Sequence, residues 1–206
     1  MTVTYFSVGN LGTNCYIVSD DGGHAAIIDP GGDAQRILGS VKDKNLTVDL
    51  VLLTHAHFDH IMAAEEIRVA TGAQLCVGAG DAPMLADAQF NLSAMVYPER
   101  AVELTADRLL VEGDTVCFGN ATLTVMETPG HTRGGVCYLG EDVLFSGDTL
   151  FAGSIGRTDL PGGDMTVLRR SLARLASLDG DLTVYPGHGE ETTLSFEKAA
   201  NPYLVF

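Results

Sequence analysis

Basic residues are scarce in this chain. Twelve lysines and arginines stand against 27 aspartates and glutamates, giving a formal net charge of −15 over 206 residues. A general basic footprint for nucleic acid or anionic lipid is therefore missing, which also tells against a nuclease. The total does not exclude a small anionic substrate, because the local field decides that. Cysteine is sparse too: Cys15, Cys76, Cys117 and Cys137 lie far apart with no C-x-x-C pair. They read as reduced, mostly buried small hydrophobes and not as a disulfide frame. No apolar run approaches the roughly 18 residues that cross a bilayer. Met1-Thr2-Val3-Thr4-Tyr5 lacks both the basic and the apolar region of a secretory signal. The expected location is the cytoplasm, without a membrane partner. At 21.7 kDa and 46% apolar residues, a single domain over 1–206 with a sizeable core is expected.

What is present is alternation of strand and helix without linkers. Residues 3–8, 14–19 and 25–29 read as short strands separated by Gly9-Asn10-Leu11-Gly12 and Asp20-Asp21-Gly22-Gly23. Asp33 is the expected cap of a helix that buries Ile37, Leu38 and Val41. Leu50-Val51-Leu52-Leu53 is continuously apolar, as in a strand covered on both faces. Ile61, Ala64 and Ile67 fall at helical spacing, with Gly72 as the stop. Residues 81–96 read as helical, with Met84, Leu85, Leu92 and Met95 as packing residues. Over 108–118 and 121–127 the period becomes two, with a hairpin turn at Gly119-Asn120. Residues 136–139 and 143–145 form another hairpin. Asp164 caps an amphipathic helix through Leu168, Leu172, Leu175 and Leu178, ended by Gly180. Residues 182–185 form the last strand, and a short helix over 193–200 stops before Pro202.

The chain is organised around Thr54-His55-Ala56-His57-Phe58-Asp59-His60, directly after the apolar run. Three histidines cannot all face one core from a single strand or helix, whereas on a strand-end loop they converge on cations. Imidazole nitrogen with carboxylate oxygen suits Zn, Fe or Mn. Three further strand ends each carry one ligand-type residue on a glycine-containing turn. They are Thr128-Pro129-Gly130-His131, Ser146-Gly147-Asp148-Thr149 and Pro186-Gly187-His188-Gly189. Singly, each is more often an ordinary polar turn. Together they form a pattern, at the carboxyl ends of strands where α/β sheets collect their ligand sites. Five of the six histidines lie in it, and His24 is assigned to solvent.

His-x-His-x-Asp-His, the Gly-His, the Gly-Asp and the final Pro-Gly-His-Gly together resemble the metallo-β-lactamase-fold hydrolases. Within them the chain is most similar to the short glyoxalase II-like (hydroxyacylglutathione hydrolase-like) branch, from about residue 13 to residue 202. The resemblance implies an α/β fold: a four-layered αβ/βα sandwich of two mixed β-sheets with helices on the outer faces. It implies that His55, His57 and His131 hold one metal, that Asp59, His60 and His188 hold the second, and that Asp148 bridges them. The implied cofactors are two divalent ions, zinc first, with iron or manganese as alternatives.

Such a pair lowers the pKa of bound water from about 15.7 towards ~7. A bridging hydroxide would attack an acyl carbon, and a thiolate would leave without a strong general acid. The expected substrate is a small-molecule thioester. Asp148 and Asp59 are the catalytic carboxylates, Asp59 as a proton shuttle if weakly coordinated. Arg157 falls where the resembling enzymes put a basic residue near glutathione; a surface arginine paired with Asp159 or Asp164 is the equal alternative. Thr54, Thr149 and Asp29 are candidates for orienting ligands, and Tyr185 for packing. Long glyoxalase II enzymes add a C-terminal helical domain that grips glutathione, which is not expected here. Glu190 stands where those enzymes place a substrate-binding tyrosine, so a different or smaller thioester also fits. Asp148 and His60 point away from lactam hydrolysis, since β-lactamases of this fold commonly have cysteine at the first position and no histidine at the second. Two other readings stand beside the hydrolase. One is a persulfide dioxygenase-like oxidoreductase with one iron on His55, His131 and Asp148. The other is a metal-binding protein without turnover, although closed zinc sites are usually thiolate-rich.

Overall fold

Two six-stranded sheets lie face to face in the computed structural model, which describes residues 1–204. The first contains β1 (Thr2–Val8), β2 (Thr13–Ser19), β3 (His24–Ile28), β4 (Thr47–Leu53), β5 (Gln74–Gly78) and β6 (Arg108–Leu110), in that spatial order. It is antiparallel as far as β3 and parallel from there to β6. The second contains β7 (Thr115–Phe118), β8 (Ala121–Glu127), β9 (Val136–Leu139) and β10 (Val143–Gly147). After a small ribbon, β11 (Leu150–Phe151) with β12 (Ser154–Ile155), it is completed by β13 (Thr183–Pro186) and β14 (Thr192–Thr193). Its spatial order is β14-β13-β10-β9-β8-β7, and only β10 and β13 pair in parallel.

Side chains alternate across each strand, so one set from each sheet points to the other sheet and one set points outward. Val18, Ala26, Ile28 and Leu52 meet Val116, Leu123, Val125, Tyr138 and Phe145 between the sheets. Ile17, Ile27, Val51 and Leu53 face the other way. They are covered by α1 (Ala34–Asp43), α2 (Phe58–Ile61) and α3 (Ala64–Thr71) through Ile37, Val41, Ile61 and Ile67. On the far side Cys137, Leu144 and Val184 pack beneath α6 (Met165–Ala176), through Leu168, Leu172 and Leu175, and α7 (Leu194–Ala200), through Leu194. This is the expected four-layered sandwich. The apolar run in β4 follows from burial on both faces. The Asp164 carboxylate accepts from Thr166 and Val167 N–H at 2.7 and 3.1 Å, capping α6 as expected.

Several expectations are corrected. Residues 81–96 hold only two single-turn helices, α4 (Ala82–Leu85) and α5 (Ser93–Val96). Between them the Asp87 carboxylate accepts from Gln89 and Phe90 N–H, and Leu92 takes a left-handed φ of 72°, which ends helical continuation. Met84, Leu85 and Leu92 are buried, but Met95 is exposed. The period-two stretch over 108–118 is two strands in different sheets, with a turn at 111–114 that the Asp114 carboxylate closes onto Val111 N–H. Asp33 stands at the start of α1 but does not cap it. Its φ is 54° and its carboxylate accepts from Gly9 N–H, tying the β1–β2 turn to the helix. Helix α6 ends at Ala176, four residues before Gly180. Of the four free cysteines three are buried, while Cys117 is exposed. No helix among the described residues is long and apolar enough to cross a membrane.

β4, β8, β10 and β13 all end toward the same edge, and the loops that follow them carry the ligand-type residues. Close packing holds these loops. A Cβ on Gly31 would stand 1.6 Å from the Asp59 carbonyl oxygen, so α2 is seated directly on the Pro30-Gly31 turn. Gly31→Ala is expected to destabilise the fold by about 1–3 kcal/mol or more. At roughly 2–4 °C per kcal/mol for a chain of this size, thermal unfolding should come several degrees earlier. An unchanged melting temperature would contradict this close approach.

Candidate metal centre

Three groups of side chains bring one donor atom each to within 4.8 Å of one another: His55, His57 and His131; His55, His60 and Asp148; Asp59, His60 and His188. The first and third are the two expected sets, and Asp148 lies between them. Asp148 Oδ2 is 3.5 Å from His131 Nε2 and 3.8 Å from His188 Nε2, and its Oδ1 is 3.5 Å from His60 Nε2. Asp59 Oδ2 is 3.1 Å from His188 Nε2 and accepts from the Thr13 hydroxyl at 3.0 Å. His57 Nδ1 and His131 Nε2 approach to 2.9 Å with rings nearly perpendicular, at 84°. His55, His57, His60 and His131 are buried, whereas the His188 side chain keeps 29% of its surface exposed and marks the open side. A Cβ on Gly187 would stand 2.1 Å from Asp148 Oδ1, so only glycine lets the last loop close over the bridging carboxylate.

Three of the five rings are held by their other nitrogen. The Asp29 carboxylate takes Thr54 N–H and the Thr54 hydroxyl at 2.7 and 2.6 Å, and stands 3.0 Å from His60 Nδ1. With its proton committed to Asp29, the Thr54 oxygen is left to accept from His55 Nδ1 at 3.2 Å. His131 Nδ1 donates to the Arg157 carbonyl at 2.7 Å. All three rings therefore turn Nε2 into the centre. His55 Nε2, His57 Nε2, His60 Nε2 and Asp148 Oδ1 are buried without a hydrogen-bond partner. One such atom costs on the order of 1–3 kcal/mol; four in one cradle, with nitrogen and carboxylate donors, fit metal ions.

The charges divide the centre in two. Burial first, then the neighbouring imidazoles, hold His55 well below its ordinary pKa and His57 at about 3. Burial opposes the charged form of His60 as well, but the Asp59, Asp148 and Asp29 carboxylates outweigh it and push His60 up to about 10. At Asp59 burial likewise works upward. His60, His188 and the Thr13 hydrogen bond prevail and hold the carboxyl well below the usual range.

Other candidates fall as follows. The Arg157 guanidinium is exposed and forms a two-pronged pair with Asp159, both contacts 2.7 Å; only its backbone reaches the centre. Thr54 and Asp29 orient ligands as expected. Thr149 instead hydrogen-bonds Thr128 at 3.0 Å. Tyr185 stacks on Phe145, and exposed His24 pairs with Asp49. Sequence reasoning missed Asp81, which is fully buried and accepts from Ala56 N–H, the Thr132 hydroxyl and Gly134 N–H. It ties the His55-Ala56-His57 loop to the loop after His131. Also missed were Asn14 and Tyr16, whose side chains donate to the Pro186 carbonyl and, from Asn14, to that of Gly189. None of these carries a local motif.

The family model of the metallo-beta-lactamase superfamily matches residues 8–188. This chain belongs to that superfamily. Among superfamily relatives, it is 41% identical to the "Probable metallo-hydrolase YqgX" of Bacillus subtilis, over 96% of this chain and 94% of that one. It is 32% identical to the hydroxyacylglutathione hydrolase GloC of Haemophilus influenzae, over 99% and 98%. Among solved structures, BLEG-1, described as a B3 metallo-beta-lactamase, matches with a TM-score of 0.94 and 38% identity over the full length of both chains. A di-iron-bound form of TTHA1623 matches with a TM-score of 0.86 and 36% identity, over 98% of this chain and all of that one. The expected family and fold are borne out. The chain is a metal-dependent hydrolase of the superfamily with a histidine-rich metal site.

Two outcomes test this geometry. His60 must lose a proton before Nε2 can ligate, whereas His55 and His57 are already neutral. Loading the centre with metal near pH 8 is therefore expected to release at least one proton per chain, with affinity weakening as pH falls below 10. Calorimetry in buffers of different ionisation enthalpy reads this, and zero release would contradict it. Asp81→Ala leaves three donors unpaired and is expected to weaken metal retention against a chelator by roughly 10–100-fold.

Proposed function

We propose that this chain hydrolyses a small-molecule thioester at a two-ion centre, in the manner of a hydroxyacylglutathione hydrolase. The observation that carries the reading is the Asp148 carboxylate, set between one all-histidine group and a second group of Asp59, His60 and His188. The full-length likeness to GloC supports the substrate class, and the di-iron form of TTHA1623 supports two ions. The donor set admits zinc, iron or manganese, and zinc is the proposed metal.

A pair of divalent ions supplies Lewis acidity for the acyl carbonyl and acidifies water from about 15.7 towards ~7. The protein does the rest. His55 and His57 are neutral and ligate without giving up a proton. Asp148 spans both groups and keeps them in register. Asp59, held ionised by His60 and His188, is a ligand of the second group and, if only weakly coordinated, a proton shuttle beside the partly buried His188. A thiolate needs little such help, which is why a thioester suits this centre better than an amide. Lactam hydrolysis is the second reading, favoured by the description of BLEG-1.

Metal analysis of protein purified without added metal, followed by turnover assays, decides among these. About two equivalents of metal and cleavage of S-lactoylglutathione or a simpler thioester are expected, both lost on chelation. One iron with oxygen uptake on glutathione persulfide would favour the dioxygenase, and nitrocefin turnover the lactamase. His188→Ala should lower kcat/KM by ~10²-fold or more; near-normal turnover would remove the second ion from the mechanism.

A further inference from the structure

Outside the metal cradle a cavity of about 350 Å³ lies between β1 and β2 of one sheet and β13 with the turn after it in the other. It is lined by Tyr5, Asn14, Tyr16, Tyr185, Glu190 and Glu191, and it begins one residue beyond His188. Tyr5 and Tyr16 are direct cross-strand partners with ring centroids 6.4 Å apart, and Tyr16 and Tyr185 lie at 5.3 Å. The Tyr16 hydroxyl and the Asn14 amide are committed to the Pro186 and Gly189 carbonyls. Tyr16 is otherwise buried, so the rings that face the cavity are those of exposed Tyr5 and half-buried Tyr185, with Tyr16 as the floor between them. Glu190 and Glu191 are exposed, and among the described residues neither has an ion-pair partner. Glu191 lines the same wall as Tyr185, whose phenol is raised by burial first and then by the Glu191 and Asp142 carboxylates.

Aromatic faces carry negative charge density, and quaternary ammonium groups are held by cages of them. Two unpaired carboxylates at the same cavity repel an anion and leave an apolar neutral ligand without advantage. A small hydrated metal ion would gain nothing from tyrosine rings. We infer that this groove binds an organic ammonium group, quaternary or alkylated. The second half of the inference rests on the thioesterase reading: beside His188, the groove receives the leaving-group end of a thioester whose thiol carries that ammonium. Water adds to the acyl carbon, the C–S bond breaks, and the products are a carboxylate and a cationic thiol.

The test uses the metal-loaded protein and two probes of equal shape, choline and uncharged 3,3-dimethylbutan-1-ol, titrated calorimetrically. Choline is expected to bind at least about tenfold more tightly. Glu190→Gln with Glu191→Gln should abolish that preference, and Tyr5→Ala should weaken choline binding while Tyr5→Phe retains it. All these side chains are exposed, and unchanged metal content and melting temperature confirm intact variants. Equal binding of the two probes, no binding, or a preference that survives the double glutamine variant would overturn the assignment. In turnover, butyrylthiocholine should exceed the butyryl thioester of 3,3-dimethylbutane-1-thiol about tenfold in kcat/KM, falling to parity in the double variant; parity in the unaltered enzyme would overturn the leaving-group role. Choline binding without any thioester cleavage would sink the thioesterase reading and leave the ammonium site standing.

Discussion

Ligand-type atoms crowded together and left unmatched set the terms for this fold. His57 Nδ1 and His131 Nε2 lie 2.9 Å apart. Beside them are two carboxylates and three further imidazoles, and across the whole group four donor atoms are buried and unmatched. Polar atoms in a low-dielectric interior are costly unless something of opposite character meets them. The arrangement makes physical sense only as a cradle for positive charge. The rest of the scaffold keeps it open against collapse: Asp29 pins His60 and Thr54, Asp81 joins two loops, and Asn14 with Tyr16 anchors the last one.

The scaffold achieves this by dividing labour between interior and edge. Strand side chains are given over to packing, in three apolar clusters that separate the four layers. Chemistry is left to the loops at one end, where close backbone approaches fix their paths. Placement on loops backed by rigid strands is the usual solution where precision and variability are both needed. It also explains how relatives described as hydroxyacylglutathione hydrolase and as β-lactamase share this architecture.

Much of this was legible in the sequence because it rests on local signals. The apolar run before His55, the cap at Asp164 and the glycine turns carrying His131, Asp148 and His188 each announce themselves within a few residues. What was not legible depends on partners distant in the chain. Asp33 looks like a cap, yet its carboxylate turns back to Gly9. Residues 81–96 have helical composition, but Asp87 folds onto its own backbone and breaks the run. Asp81 shows no motif because its three partners, Ala56, Thr132 and Gly134, come from two loops lying 25 residues or more away. Arg157 was noticed for its charge, whereas its carbonyl is the part that reaches His131.

The span from His55 to His188 has a consequence for biosynthesis. The first histidine trio needs the chain only as far as residue 131, but the second group waits for the loop after β13. A nascent chain emerging from the ribosome thus offers at most half a centre. The complete set of ligands can come together only once both sheets have been delivered and docked.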